Sequence, residues 1–570
     1  MILGIDVGGT HTDAVVLDGV SIKAQTKVPT NHDDLLKSVR AAMKAVLTQV
    51  ESVRVRQINL STTLSTNAIV QGKTEPVGMI VSSGPGINPE SYRIGSHYHV
   101  VEGSIDHRGV KVLDLDKKQL SRALKSCRHL GVSVFAAVTK FSTRNPEHEL
   151  LIKSTIGPDQ DHITLGHSLS GIMNFPRRVA TAYFNSSVWR LYGNFSRAVE
   201  ESVKEFGLEA EINVLKADGG TMPLAKSKDR PVESVLSGPA ASVMGIIALC
   251  KIKEDAIMLD IGGTTTDVAV FADDSPVIEH QGMVLASYPT LIQALKVRSI
   301  GIGGDSTLHF KAGKVTVGPD RQGPCLALRP GKGQGGSAAV PALTDALNVL
   351  GLAEFGDREA SIEGIGHLAR SWGLPPEELS RQAVRYAINQ ITAAALNLID
   401  DINKKPVYTI REVLEGKLVK PKKVYVMGGP ALVLSDRLRE AFGLDVVVPE
   451  HFALANAIGA ALTRTTAEAA LFADTKQGKM FISNLDVSKR IPKTYVLDQA
   501  KDDARRYLLE HLRSMGVTDS DLDPIITEAE SFNVVDGTTT MGRNIRVKCQ
   551  VRPGVSGWFD HGQSSPDNNH

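Results

Sequence analysis

Two short segments hold the residues best suited to chemistry. One is Asp6-Val7-Gly8-Gly9-Thr10-His11-Thr12-Asp13, and the other is Asp260-Ile261-Gly262-Gly263-Thr264-Thr265-Thr266-Asp267. A Gly pair permits positive φ and lets backbone N–H groups approach an anion with no Cβ in the way. The hydroxyls of Thr10, Thr12, Thr264, Thr265 and Thr266 can donate to phosphate oxygens. Asp6 and Asp260 stand where a strand enters the turn. A carboxylate there can hold Mg²⁺ directly or through water, because Mg²⁺ keeps several waters and shares phosphate ligands. A bare carboxylate would repel a phosphate, so both in one cleft imply a metal between them. Asp13 and Asp267 close the two segments and could serve as bases.

The elements that must position these residues are duplicated too. Ile2-Leu3-Gly4-Ile5 and Ala256-Ile257-Met258-Leu259 precede the two segments; Ala14-Val15-Val16-Leu17 and Val268-Ala269-Val270-Phe271 follow them. Each unit reads as strand, tight turn, strand. A single Asp-x-Gly-Gly is equally a plain β-turn. Two matched copies with matched flanks are what a nucleotide cleft between two similar lobes needs.

A third element, Val424-Tyr425-Val426-Met427-Gly428-Gly429-Pro430-Ala431, reads as a strand breaking into Gly-Gly at a helix start. Gly428 and Gly429 would let adenine or ribose lie against backbone. Gly303 and Gly304, followed by Asp305, form another Gly-rich loop, for nucleotide or for a simple turn. Thr62 and Thr63 lie in a hydroxyl-rich run, Ser61 to Thr66, where a strand meets a helix. Ser237-Gly238 opens an apolar helix, with Ser237 as its expected cap. Both places suit helix capping and also anion or substrate contact. Ala455 to Leu462 is a small-residue helix able to cross another closely. His97, His99 and nearby His107 are surface histidines or a candidate transition-metal cluster.

Strands and helices alternate along the chain, as in mixed sheets covered on both sides. Asp33 to Val50 reads as a helix, with Leu35, Leu36, Val39, Met43, Val46 and Leu47 at helical spacing. Val77 to Val81 and Val132 to Val138 read as strands. The expected organisation is a first lobe over 1–175, one long linking helix over 176–207, a second lobe over 208–465 opening at Ile212, and a C-terminal α+β region over 466–570. Within the last, Tyr507 to Met515 reads as helix and Ile545 to Val551 as strand. Pro319 to Pro341 reads as loop and Gln563 to His570 as a disordered tail.

The chain has 570 residues, enough for several cores. Lys and Arg number 64 against 63 Asp and Glu, so no basic balance points to nucleic acid. Cys127, Cys250, Cys325 and Cys549 form no CxxC pair, which argues against a zinc knuckle and for a reducing, cytoplasmic compartment. No signal peptide or membrane span is read. Walker A, HExxH and nucleophile-elbow motifs are absent.

Asp6 to Asp13, Asp260 to Val268, Ser61 to Ala68, Leu236 to Ala241, Ser299 to Ser306, Leu343 to Ala346 and Met427 to Pro430 occur in one order over residues 1 to about 465. In this the chain resembles the actin-like ATPase superfamily of sugar kinases, Hsp70 and actin. Within it, the chain is similar to the hydantoinase A / 5-oxoprolinase family. The resemblance implies an α/β fold of two actin-like ATPase lobes around a nucleotide cleft, with ATP and Mg²⁺ as cofactors. It further implies phosphorylation of a cyclic amide or imide carbonyl, which removes amide resonance and prepares ring opening. It also implies a B-type hydantoinase/oxoprolinase subunit as partner and leaves room for a homo-oligomer. The chain departs from the family pattern at Ser83 to Pro89, at Asp218 and at Gly323 to Ala327. Alternatives on the same cleft are a small-molecule kinase, an ATP-driven activator or chaperone, and an ATP-dependent carboxylase subunit.

Overall fold

The apolar runs on either side of the first Gly-Gly pair as the spacing predicts. Ile2–Val7 and His11–Asp18 form an antiparallel hairpin with Asp6 opposite Asp13. Ser21–Pro29 extends it, and Gln57–Thr62 lies parallel on the other side of Ile2–Val7. The helix Leu35–Leu47 begins at Asp34, whose side chain accepts from the Lys37 N–H, and buries Val39, Met43 and Val46 on this sheet. The computed structural model describes residues 1–559 except 32, 159, 273, 280, 329–339, 405–417, 518–521 and 537. Part of the Pro319 to Pro341 loop and the whole Gln563 to His570 tail therefore lie outside the described residues.

The first sheet has the order Thr221–Pro223, Glu211–Leu215, Gln57–Thr62, Ile2–Val7, His11–Asp18, Ser21–Pro29. This corrects one expectation. The strand read as opening the second lobe at Ile212 runs parallel to Gln57–Thr62 in the first. Packing decides it: Val214, Met222 and Leu224 join the core that holds Leu3, Ile5 and Val16.

Between these strands in sequence lies an all-parallel layer, His162–Leu165, Val134–Thr139, Gly78–Ser82, His97–Val100. Its interior is pinned by Glu149, which is fully buried and accepts from the Thr139 N–H at 2.8 Å and from His167 Nδ1 at 2.6 Å. The long helix expected over 176–207 is two helices, Phe175–Ser187 and Trp189–Glu205, broken at Val188. Glu75 causes the break. Its N–H donates to the Ser187 carbonyl at 3.0 Å, and its carboxylate accepts from the Arg190 N–H at 2.9 Å. The first helix then covers the parallel layer and the second covers the first sheet.

The second lobe repeats the plan. Ala256–Ile261 and Thr266–Ala272 pair antiparallel with Asp260 opposite Asp267, and Lys423–Met427 lies parallel beside Ala256–Ile261. Two helices join the lobes. Ser237–Leu249 and Ala455–Leu462 cross so closely that a Cβ on Gly459 would lie 2.2 Å from the Ala241 carbonyl oxygen. A Cβ on Gly4 would lie 2.2 Å from the Ala457 oxygen. Asn59, fully buried, donates to the Ala460 and Ala461 carbonyls at 2.9 Å each, satisfying acceptors that a helix end leaves open.

The C-terminal region is a five-stranded sheet, Val487–Arg490, Lys479–Ile482, Glu468–Asp474, Thr539–Val551, Pro524–Asp536, with Leu497–Ser514 packed on one face. All four cysteines are buried and unbridged. Among the described residues, no helix is long and apolar enough to cross a membrane.

Candidate functional site

Both hairpins close the same way. The Gly8 N–H donates to the His11 carbonyl at 3.0 Å, and the Gly262 N–H to the Thr265 carbonyl at 2.9 Å. Those two amides shape the turns. The N–H groups of Gly9, Thr10, Gly263 and Thr264 make no backbone hydrogen bond among the described residues. The two turns meet tip to tip. A Cβ on Gly9 would lie 3.7 Å from Thr264 Oγ1, and one on Gly263 would lie 3.3 Å from Thr10 Oγ1. Residues directly opposite in an antiparallel pair share a face, so each hairpin presents two carboxylates together.

Asp6 is 4 % exposed, and its Oδ1 is buried without a hydrogen-bond partner. Burial pushes its pKa up to about 7; Ser61 and Asn456 nearby oppose the rise, and the Asp13 and Asp260 charges add to it. Asp260 is also raised, chiefly by burial, while the Ser242 hydroxyl at 2.6 Å and the Asn456 amide at 3.2 Å hold its Oδ2. Asp267 is half-buried, hydrogen-bonded to the Ser299 hydroxyl, and pushed up to about 7 by burial and by the Asp260 charge. Asp13 is raised by burial against the pull of Lys27, whose ammonium lies 2.7 Å from both its oxygens. His11 is lowered by burial and by Lys27, so it is neutral near pH 7.

These carboxyls set a pH dependence. A carboxyl whose folded pKa lies above its unfolded value favours folding fully only below the unfolded value, and that stability is lost as pH rises through the folded one. For Asp6 and Asp267 the window runs from about 4 to about 7. The ligand-free protein is expected to melt at a lower temperature at pH 8 than at pH 6, and Asp6→Asn should shrink the difference. Equal pH slopes in wild type and variant would show that the Asp6 charge is compensated.

The other sequence candidates fall into distinct places. Gly303 and Gly304 rest on the second hairpin: the Gly304 N–H donates to the Gly262 carbonyl at 2.9 Å, and a Cβ on Gly303 would meet the Gly262 oxygen at 2.6 Å. Gly304 also approaches Pro430, 3.3 Å from a built Cβ, so this loop joins the Gly428-Gly429-Pro430 turn. Gly428 adopts φ +91, beside Asp260; Gly429 faces open space. The Thr12 hydroxyl bonds that of Thr30 at 3.0 Å, and Thr265 is exposed.

Thr62 and Ser237 satisfy each other. The Ser237 hydroxyl donates to the Thr62 carbonyl at 2.9 Å and accepts the Thr62 N–H at 3.1 Å. Ser237 is therefore not the cap of its helix. Leu236 is the residue before the first turn, with φ 60 and no side-chain cap bond. Thr63 packs 3.7 Å from a Cβ built on Gly238. His97 and His99 share the strand His97–Val100. Among the described residues, no group of three or more His, Cys, Asp or Glu could enclose a metal by itself.

Sequence reasoning missed several neighbours of the carboxylates. Lys27 comes from a separate strand. Arg321 Nη2 lies 3.0 Å from Asp305 Oδ2, which in turn lies 3.2 Å from a Cβ built on Gly263. Asn456 had a signal: it is the one polar side chain in the small-residue run Ala455–Leu462.

Two Gly-Gly hairpins related by repetition face each other from two mixed sheets. The chain belongs to the hydantoinase/oxoprolinase family: the N-terminal family model matches residues 2–157 and the Hydantoinase/oxoprolinase model matches residues 178–469. The chain is similar to caprolactamase subunit alpha of Pseudomonas jessenii, 24% identical over 78% of this chain and 68% of that one. It is also similar to 5-oxoprolinase 1 of Arabidopsis thaliana, 24% identical over 80% of this chain but only 41% of the relative's length. A third relative is the acetophenone carboxylase gamma subunit of Aromatoleum aromaticum, 25% identical over 61% of this chain and 53% of that one. Among solved structures, the ATP-dependent caprolactamase from Pseudomonas jessenii shares the fold with a TM-score of 0.72 at 18% identity, covering 99% of this chain and 89% of that one. Nucleotide-free acetone carboxylase shares it with a TM-score of 0.70 at 17% identity, covering 97% and 88%.

Proposed function

We propose that this chain is the ATP-hydrolysing A-type subunit of a cyclic amidohydrolase, activating a cyclic amide or imide carbonyl by phosphorylation. The observation that carries this reading is the pair of facing hairpins with Asp6 and Asp260 at their bases, in a chain of this family. Asp6 Oδ1, buried and unpartnered, suits a hard cation. One or two carboxylates plus phosphates are an ordinary Mg²⁺ donor set, so the lack of a larger acidic group is no obstacle. Asp6 and Asp260 would hold Mg²⁺, which when bound neutralises phosphate charge. The turn amides of Gly9, Thr10, Gly263 and Thr264 bind and orient phosphate oxygens. Asp13, clamped by Lys27, keeps that ammonium at the hairpin face. Positioning and electrostatics of this kind supply most of the rate in phosphoryl transfer.

Relatives named as alpha or gamma subunits support a second polypeptide, here a B-type subunit that completes ring hydrolysis. The full chain is expected to bind Mg·ATP by calorimetry and to open 2-pyrrolidone, hydantoin or ε-caprolactam slowly or not at all. Adding the cognate B-type subunit should couple ATP hydrolysis to ring opening. Rapid stoichiometric opening by this chain alone would refute the partner requirement, and no Mg²⁺-dependent nucleotide binding would refute the cleft. The acetophenone carboxylase relative favours one second reading, an ATP-dependent carboxylase subunit. Turnover that requires bicarbonate and yields a carboxylated product would select it.

A further inference from the structure

The tips of the two hairpins carry an ion pair that the metal and turn roles leave unused. Asp305 follows the Gly303-Gly304 pair, and its N–H donates to the Gly263 carbonyl at 2.7 Å. Its Oδ1 accepts from the Cys325 N–H at 3.1 Å. Its Oδ2 lies 3.2 Å from a Cβ built on Gly263 and 3.0 Å from Arg321 Nη2. The segment that carries Arg321 is tied down on both sides. Before it, the Thr307 N–H donates to the Asp320 carbonyl at 3.0 Å; after it, Cys325 holds Asp305. The first turn is close as well. Thr10 Oγ1 lies 3.3 Å from the same built Cβ, and the charges of Asp305 and Arg321 both act on His11. Arg321 therefore stands where the two tips meet.

Asp6, Asp13, Asp260, Asp267 and Asp305 all bring carboxyls to the hairpins. Two cations act on these groups, Lys27 and Arg321, and they are engaged differently. Lys27 stands at the base of the first hairpin, its ammonium 2.7 Å from both oxygens of Asp13. Arg321 approaches one oxygen of Asp305 through one nitrogen. Its Nε is buried with no hydrogen-bond partner, although a quarter of the side chain is exposed. A buried N–H left unpaired costs its desolvation in full, and more on a charged group. An acceptor arriving in the cleft removes that cost.

The pair also solves a problem of sign. Asp305 alone would repel a phosphate from the Gly263 and Thr264 amides. Pairing with Arg321 cancels that repulsion, and the guanidinium still has N–H groups to give. Its planar fork of donors matches phosphate geometry, which the point charge of an ammonium does not.

We infer that Arg321 is a catalytic residue supplied in cis. Its free N–H groups meet the terminal phosphoryl group of a bound nucleotide between the two tips, while Asp305 fixes its position. The inference rests on the nucleotide reading of the cleft and names the group that stabilises the phosphoryl in transfer. The bond from the terminal phosphorus to its bridging oxygen breaks, its electron pair leaves with ADP, and a bond to the acceptor oxygen forms. An amide acceptor keeps its N–H proton. Arg321 gains and loses no proton; it offsets charge on the equatorial oxygens, a role in which an arginine is worth about 10³-fold or more in rate. ADP lacks the terminal group, so its binding does not call on Arg321.

Calorimetry on the full chain tests this with Mg·ADP, alone and with aluminium fluoride standing in for the phosphoryl group in transfer. The wild type should bind Mg·ADP tenfold or more tightly when aluminium fluoride is present. Arg321→Met should lose that gain and keep its affinity for Mg·ADP, which shows that it folds. Arg321→Lys should lose most of the gain, since an ammonium does not reproduce the fork. Millimolar guanidinium ion should restore part of it to Arg321→Ala. ATP turnover, measured with the B-type subunit present, should fall about 10³-fold in Arg321→Met, with KM for ATP changed far less. Should Arg321→Met lose Mg·ADP binding, Arg321→Lys, which keeps a charge beside Asp305, replaces it with the same expected loss. No gain in the wild type, an undiminished gain in the variants, or loss of Mg·ADP binding in both variants would each overturn the inference and leave the nucleotide reading standing. A wild type that binds neither Mg·ADP nor Mg·ATP would overturn both.

Discussion

Asp6→Asn is expected to cut ATP turnover about 10²- to 10³-fold, the loss typical of removing one preorganised electrostatic group at a reacting phosphate. The same change should raise the melting temperature of the ligand-free chain at pH 8. Both effects have one cause. The wild-type carboxylate is buried, one of its oxygens has no partner, and Asp13 and Asp260 add like charge. Without a cation that arrangement costs stability; with one it becomes the binding site. Asp260→Asn should lose comparable activity with a smaller stability gain, because Ser242 and Asn456 already hydrogen-bond its carboxylate. Steady-state ATPase assays beside melting curves at pH 6 and pH 8 check both parts. Full turnover in Asp6→Asn would remove it from the metal site. An inactive variant with a lower melting temperature at pH 8 would make its role structural.

Gly459→Val should destabilise the chain by about 3 kcal/mol, at the upper end of overpacking costs, because the added atoms meet backbone. A Cβ there would lie 2.2 Å from the Ala241 oxygen and 2.4 Å from the Gly245 nitrogen. No rotamer change relieves those contacts. A lower melting temperature and loss of nucleotide binding should appear together, since the crossing joins both lobes. Gly366→Ala is the control. It lies within the helix Arg358–Trp372 with nothing within 4 Å of a built Cβ, and there alanine is favoured by about 1 kcal/mol. If Gly459→Val melts with the wild type, the close crossing is not what holds the lobes.

The sequence carried the hairpins because their information is local. Apolar strand, Gly pair, hydroxyls and carboxylate sit within a few residues, and repetition removes the ambiguity of a lone turn. The facing of the two tips also follows from duplication. What stayed hidden depends on pairing across sequence distance. Nothing in Ile212 to Leu215 says that its neighbour is Gln57–Thr62, since any buried parallel strand reads as the same apolar run. The break at Val188 is set by Glu75, a carboxylate from a distant loop, while local spacing alone favours one continuous helix. Ser237 was readable as a helix-start residue but not as the partner of Thr62. Lys27, Ser299 and Arg321 reach the carboxylates from other strands and loops and carry no motif of their own.

The seam of Gly4, Gly245 and Gly459 sets what movement the cleft can make. Backbone touches backbone there with no side chain to yield, so the lobes cannot slide past one another. We expect any relative motion of the lobes to be a swing, with the seam as axle. Gly8, the first residue past the strand Ile2–Val7, lies four residues from Gly4, a lever arm of about 13 Å. A swing of about 10° therefore carries the first turn about 2 Å relative to the second, within the reach of domain closures. That span is enough to admit or grip a phosphate group, and it leaves the axle unstrained.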